Sequence, residues 1–226
     1  MLKFYFCNTA NPSKVALFLE EADLAYEPVP VDTRKGEQFS PDFIALNPNS
    51  KLPVVDDDGV IVFDSNAILL YLGQKTGKFF PFDTAEDCAL TYSWMMFIAT
   101  GVGPFSGQNT HFKHYAPERV PYALDRYQFE AERHYTVLET RLKEHHFILG
   151  DRYTVVDMAA WGWVRLLPFV IGDDAWDRFP ELRRYSDEIS ARPAAKRALE
   201  VLGSHQFKKE VDEETRGFMY RHVRKA

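Results

Sequence analysis

Two cysteines, Cys7 and Cys88, are all that the 226 residues contain, and so sparse a pair implies no disulfide framework. Positive charge is short as well. Lys and Arg number 27 against 33 Asp and Glu, a formal net charge of −6, where a nucleic-acid binder would carry a basic face. No apolar run reaches about 18 residues, so no segment is expected to span a membrane. The opening Met1-Leu2-Lys3-Phe4-Tyr5-Phe6 turns polar too soon for a secretory signal, and the chain is read as soluble and cytoplasmic. What is present is ordinary for a globular protein: 46% hydrophobic and 27% charged residues. The length suits one large domain or two modest ones with a full core.

The chain is organised around Asn47-Pro48-Asn49-Ser50-Lys51-Leu52-Pro53-Val54-Val55 and the following Val60–Ile68 stretch. Asp56-Asp57-Asp58-Gly59 predicts a hairpin turn, because Asp and Gly tolerate positive φ. Val60–Phe63 is then the partner strand, and Asp64-Ser65 caps a helix opening at or just before Asn66. Pro53 cannot donate to a ladder and belongs at an edge or turn. A cis Leu52–Pro53 bond would leave the Leu52 backbone open to an extended, peptide-like ligand. Asp64-Ser65 at a helix N-terminus offers amides, a hydroxyl and a carboxylate, which suits the carboxylate and ammonium of an amino acid. Taken singly, these read better as an ordinary turn and an ordinary cap.

Together, loop, proline, hairpin and an acid-Ser-x-Ala-Ile helix start resemble the glutathione-binding, thioredoxin-like domain of glutathione transferases. The flanking pattern agrees. Leu2–Cys7 alternates as a strand, Asn11 and Pro12 read as cap and first residue of a helix, and Val15, Leu17, Phe18 and Leu19 supply its buried side. Tyr26–Val31 is a second strand, whose Pro28 and Pro30 favour a sheet edge. The loop before the first helix, where that fold places reactive thiols, reads Asn8-Thr9-Ala10-Asn11 and holds no Cys-x-x-Cys. Cys7 lies slightly early and is read as a small buried hydrophobe. A thiolate must then come from the ligand. Thr9, through N–H and hydroxyl, and Asn11, through its amide, are candidate donors to the glutathione sulfur, which would lower its pKa. By spacing alone the reading as turn and cap residues is the better one.

Thr9-x-Asn11, Lys14, Lys35-Gly36-Glu37-Gln38-Phe39 and the Asn47–Pro53 stretch resemble the bacterial nu class, relatives of the yeast prion-type nitrogen regulator. The resemblance implies that Gln38, Lys51, Leu52, Pro53, Asp64 and Ser65 bind glutathione. Leu52 would pair through its backbone with the cysteinyl moiety, and Asp64-Ser65 would hold the γ-glutamyl end, where the family usually carries Glu.

From Ala85 the strand signals vanish. Residues 1–78 are assigned to an α/β, thioredoxin-like domain, 79–84 to a linker and 85–226 to an all-helical domain. Gly101-Val102-Gly103-Pro104 stops or kinks a first helix, and Gly107–Pro117 is expected as a polar connection. Within it His111-x-x-His114 lacks the further ligands a metal needs. The segment resembles the Gly-Gln-Asn-x-x-Phe-x-x-x-Ala-Pro run of the nu class, and the match continues to Gln128. Arg126 falls on an arginine that reaches glutathione in that class, though by position alone it is equally a solvated charge. Val120–Leu142 carries one apolar stripe of a long helix, and Thr154–Asp157 reads as a capping box before an apolar, central helix. The tail from Ser204 folds over the cleft or lies on the surface.

The resemblance implies a homodimer with no metal, acting as a glutathione-dependent disulfide reductase on small disulfides. The alternatives are conjugation of glutathione to electrophiles, or a non-catalytic regulator. Phe105, Phe112 and Trp163 are candidates to shape the acceptor pocket.

Overall fold

Alternation decides the first element. Leu2, Phe4 and Phe6 turn inward from β1 (Leu2–Phe6), with Lys3 and Tyr5 between them. Helix α1 (Ala10–Glu21) follows and begins earlier than Asn11-Pro12 predicted. Thr9 is its cap residue, extended at φ −140° and ψ 176°, and its side chain makes no capping bond. No first-turn N–H has an intrahelical partner, so proline is accommodated throughout that turn and marks the start only loosely. Strand β2 (Tyr26–Pro30) lies at the sheet edge, as its prolines predicted, and runs parallel to β1. After a 3-10 turn at Glu37–Phe39 comes α2 (Pro41–Leu46), where Ser40 accepts from Phe43 N at 3.3 Å.

β3 (Val54–Asp57) and β4 (Val60–Phe63) form the expected hairpin, with Asp58 at φ 51° and Gly59 at φ 94°. The sheet order is β2-β1-β3-β4, and β3 is antiparallel to both neighbours. Tyr5 and Val54, paired in register, face a small cluster with Val31 and Phe43; Phe4 and Val55 point to the opposite side. Helix α3 (Ser65–Thr76) buries Ile68, Leu69 and Leu72, as α1 buries Val15, Leu17, Phe18 and Leu19. This is the thioredoxin-like arrangement.

The structure, a computed structural model, describes residues 1–220. It divides into two compact units: Met1–Leu72 with the chain from Ala194 on, and Gly73–Pro193. The second is helical: α4 (Ala85–Phe97), α5 (Gly103–Thr110), α6 (Pro121–Glu144), α7 (Val155–Val164), α8 (Leu167–Ile171), α9 (Ala175–Arg178) and α10 (Pro180–Ala191). The Gly101–Pro104 run kinks the chain through a π-helical turn at Ile98–Val102, where Gly101 lies against the His134 ring. Gly107–Tyr115, expected as a polar connection, is instead helical, with a second π turn at His111–Tyr115.

The polar side chains that suggested a loop face polar partners inside the unit. Ser106 Oγ lies 2.7 Å from the Tyr135 hydroxyl. Asn109 Nδ2 donates to Gln128 Oε1 and to Val170 O, both at 2.8 Å, and Gln128 Nε2 donates to Ile171 O at 2.8 Å. Asn109 of the Gly-Gln-Asn motif and Gln128 of α6 thus supply donors to carbonyls at the end of α8, where no intrahelical partner remains. Nine residues of α7 are buried, and its capping box forms as expected. Thr154 N donates to Asp157 Oδ2 at 2.8 Å, while Asp157 Oδ1 accepts from Ile148 N at 2.9 Å and from the Tyr185 hydroxyl at 3.2 Å.

The last helices, α11 (Pro193–Gly203) and α12 (Glu213–Met219), bring the chain back to the first unit. Arg197 Nε meets Glu20 Oε2 at 2.7 Å, buried Asp32 accepts from Lys208 N at 2.7 Å, and the Phe207 ring stands edge-on to Phe6. The Phe218 ring lies over Gly36, whose φ of 79° and lack of a Cβ admit it.

Candidate functional site

The tail lies against the β1–α1 loop. A cleft of about 430 Å³ is lined by Cys7, Asn8 and Thr9, by Asp32–Arg34, and by the stretch His205–Lys209. Arg34 Nη1 donates to Lys208 O at 3.1 Å and Lys209 O at 2.6 Å, fastening the tail beside the cleft. Within it Thr9 N–H donates to Cys7 O at 2.9 Å, so the Thr9 group left for a ligand sulfur is its hydroxyl. That hydroxyl lies 3.3 Å from Cys7 Sγ. Burial pushes the Cys7 thiol up to about 11, against the opposing pull of the Thr9 hydroxyl and the Lys51 ammonium. At neutral pH Cys7 is a buried thiol, not a thiolate nucleophile. Asn11 stands in the first turn of α1, half-buried.

Gln38 is buried. Its Nε2 donates to Thr33 O at 3.2 Å, while its Oε1 has no partner among the described residues. Asn47 organises the next loop, donating to Lys51 O at 2.8 Å and accepting from Asn49 N at 3.0 Å. Lys51 is exposed, Pro53 is buried, and the Leu52–Pro53 bond is cis.

Asp64 caps α3 from a left-handed backbone, φ 72°. Its Oδ1 accepts from Asn66 N at 2.9 Å and Ala67 N at 3.2 Å, which fills the first-turn amides and keeps the carboxylate at the surface. Ser65 is buried beside it. Beneath both lies Lys14, 1% exposed, its Nζ 3.4 Å from Ser65 Oγ and 3.5 Å from Asn66 Oδ1. Burial pushes this ammonium down to about 8, with Asp64 opposing the fall.

The first unit therefore places Thr9 with Cys7 and gathers Asp64, Ser65, Asn66 and Lys14. Arg126 belongs to the second unit, on α6, where it is exposed and pairs with Glu130 at 3.2 Å. His114, of the rejected metal pair, bonds Phe169 O at 2.8 Å and stacks on that ring. Sequence reasoning did not single out Lys14 or Asn66 as site residues. For Lys14 a signal existed: it shares a helix face with Leu17 and Phe18, three and four residues on, so a charge stands in an apolar stripe.

This chain is similar over most of its length to known proteins. The model of the glutathione S-transferase N-terminal domain matches residues 1–74, and that of the C-terminal domain matches residues 95–193. The disulfide-bond oxidoreductase YfcG of Escherichia coli is 41% identical over 213 residues, 88% of this chain and 94% of the relative. Among solved structures, a Burkholderia graminis glutathione transferase with two glutathione molecules bound per subunit superposes with a TM-score of 0.81 at 37% identity, covering 88% of this chain and 87% of that one. A Pseudomonas putida glutathione transferase with one glutathione disulfide per subunit gives 0.81 at 34%, covering 88% and 90%.

Proposed function

The chain belongs to the glutathione S-transferase family, and from that premise we propose that it is a glutathione-dependent disulfide-bond oxidoreductase of the nu class. The observation that carries the reading is the state of Cys7. The one cysteine at the loop is buried and protonated, beside a threonine hydroxyl that faces a cleft. The nucleophile is then the thiolate of bound glutathione. Thr9 and Asn11 stabilise it at the N-terminal end of α1, where donors and the helix dipole favour the anion. Gln38, Lys51, the Leu52 backbone beside Pro53, Asp64 and Ser65 hold the rest of the tripeptide.

In the reaction, the glutathione thiolate attacks one sulfur of the acceptor disulfide. A new S–S bond forms, the old one breaks, and the released sulfur takes a proton. A second glutathione thiolate then attacks the glutathionyl sulfur of the mixed disulfide, releasing the other thiol and oxidised glutathione. Two electrons pass from two glutathiones to one disulfide, and no protein cysteine or metal takes part.

By chain order, residues 1–78 form the glutathione-binding domain, 79–84 the linker and 85–226 the helical domain. The protein works in the cytoplasm, where glutathione is the thiol reservoir. It is a homodimer; the support is the outer strand β4, which leaves Val60, Ile61 and Phe63 exposed along an edge that no strand among the described residues pairs.

The test is glutathione-dependent reduction of 2-hydroxyethyl disulfide. Cys7→Ser is expected to keep wild-type turnover, while Thr9→Ala and Asn11→Ala each lose about tenfold to a hundredfold, the usual cost of a lost anion donor. Loss of activity in Cys7→Ser would make the cysteine the nucleophile. Conjugation of an electrophile with no disulfide reduction would replace this reading by the transferase one.

A further inference from the structure

Lys14 lies at a place that is electrostatically wrong for a cation. Its ammonium is almost fully buried beneath the first turn of α3, the positive end of that helix. Three protons are available to donate, yet its acceptors, Ser65 Oγ and Asn66 Oδ1, lie at 3.4 and 3.5 Å and neither is charged. Asp64 is the charged group that acts on it, and the Asp64 carboxylate is already engaged by the Asn66 and Ala67 amides. Ammonium and helix dipole therefore converge on one point, where among the described residues the Asp64 carboxylate, already bonded to two amides, answers them. Such a surplus of positive potential is the setting in which a bound anion is stabilised most.

Resting on the glutathione reading above, we propose that Lys14 is a positioning residue for the α-carboxylate at the γ-glutamyl end of the ligand. From below, it holds the Ser65 hydroxyl oxygen and the Asn66 amide oxygen. With its oxygen held from below, the Ser65 hydroxyl has its proton free to point toward the ligand. The ammonium also supplies charge that the ligand carboxylate completes.

A proton linkage follows. In the unliganded protein burial lowers the Lys14 ammonium to about 8. A carboxylate bound above it favours the charged form. Binding above that pH therefore takes up a proton, and affinity falls as pH rises through about 8. Ser65 and Asn66 do not titrate, and Asp64 is the charged group facing Lys14.

The experiment is isothermal titration calorimetry with S-methylglutathione, whose capped sulfur removes thiol ionisation from the signal. Titrations at pH 7 and about pH 9, in buffers of different ionisation enthalpy, count the protons. The proteins are wild type, Lys14→Met and Lys14→Gln, the second keeping a donor without the charge. The ligand amine contributes equally to all three. The expected result is wild-type binding with proton uptake at the higher pH. Both variants should bind about tenfold more weakly at pH 7 and lack the uptake. A second probe, the same peptide lacking the γ-glutamyl α-carboxylate, should bind wild type and variants alike. If either variant, folded by circular dichroism, binds S-methylglutathione within about twofold of wild type with the same proton count, the role of Lys14 is overturned and the glutathione reading stands. If wild type binds no S-methylglutathione, both fall.

Discussion

Lys14 shows what one buried charge does to a small protein. An amine whose pKa is lowered by folding destabilises the folded state wherever both states are protonated. With an ordinary value of 10.5 and a folded value of about 8, that cost is full below pH 8 and fades as pH rises toward 10.5. Its size is about 3 kcal/mol by the usual conversion of a pKa difference. Lys14→Met is therefore expected to raise the stability of the unliganded protein at neutral pH, by up to that amount, in denaturant unfolding. The gain over wild type should shrink between pH 8 and 10.5; a pH-independent gain would mean that methionine acts only by packing. Cys7 presents the opposite case, since a buried thiol at about 11 stays neutral near pH 7 and carries no such cost.

At the scale of elements, the devices that matter are helix ends. Asp64 caps α3 and Thr154 with Asp157 caps α7, yet they serve different purposes. Asp64 is exposed at the proposed ligand site, whereas Asp157 is wholly buried and binds Ile148 N, Thr154 and the Tyr185 hydroxyl. Its removal leaves several buried donors unpaired, so Asp157→Ala should cost about 3 kcal/mol in unfolding experiments. Turnover per folded molecule should be unchanged. A stable variant with lost turnover would instead place Asp157 in the chemistry. The Asn109–Gln128 pair belongs to the same class of device: a side-chain amide clamp on the last carbonyls of α8.

At the scale of the molecule, the edge of the sheet makes its own prediction. Val60, Ile61 and Phe63 on β4 are 52%, 36% and 44% exposed, more apolar surface than an unprotected edge strand usually shows. Sedimentation should find the wild type dimeric, and Ile61→Lys with Phe63→Lys should yield folded monomers. A monomeric wild type would remove the homodimer proposal.

The elements legible in the sequence were those specified by neighbours along the chain. β1, the Asp58-Gly59 hairpin, the Asp64 cap, the α7 capping box and the cis proline loop all rest on contacts within a few residues, and residue type reports such contacts directly. The start of α1 was displaced because proline fits anywhere in a first turn. Gly107–Tyr115 was misread as a connection because buried polar residues look like loop residues until their partners are known. Three things only the tertiary structure decided: Lys14 under Ser65, fifty-one residues away; the tail against Asp32 and Thr9; and Asn109 on Val170. Each joins polar groups far apart in the chain. Whether a charge is solvated or buried depends on what folds over it, and composition and periodicity do not encode that.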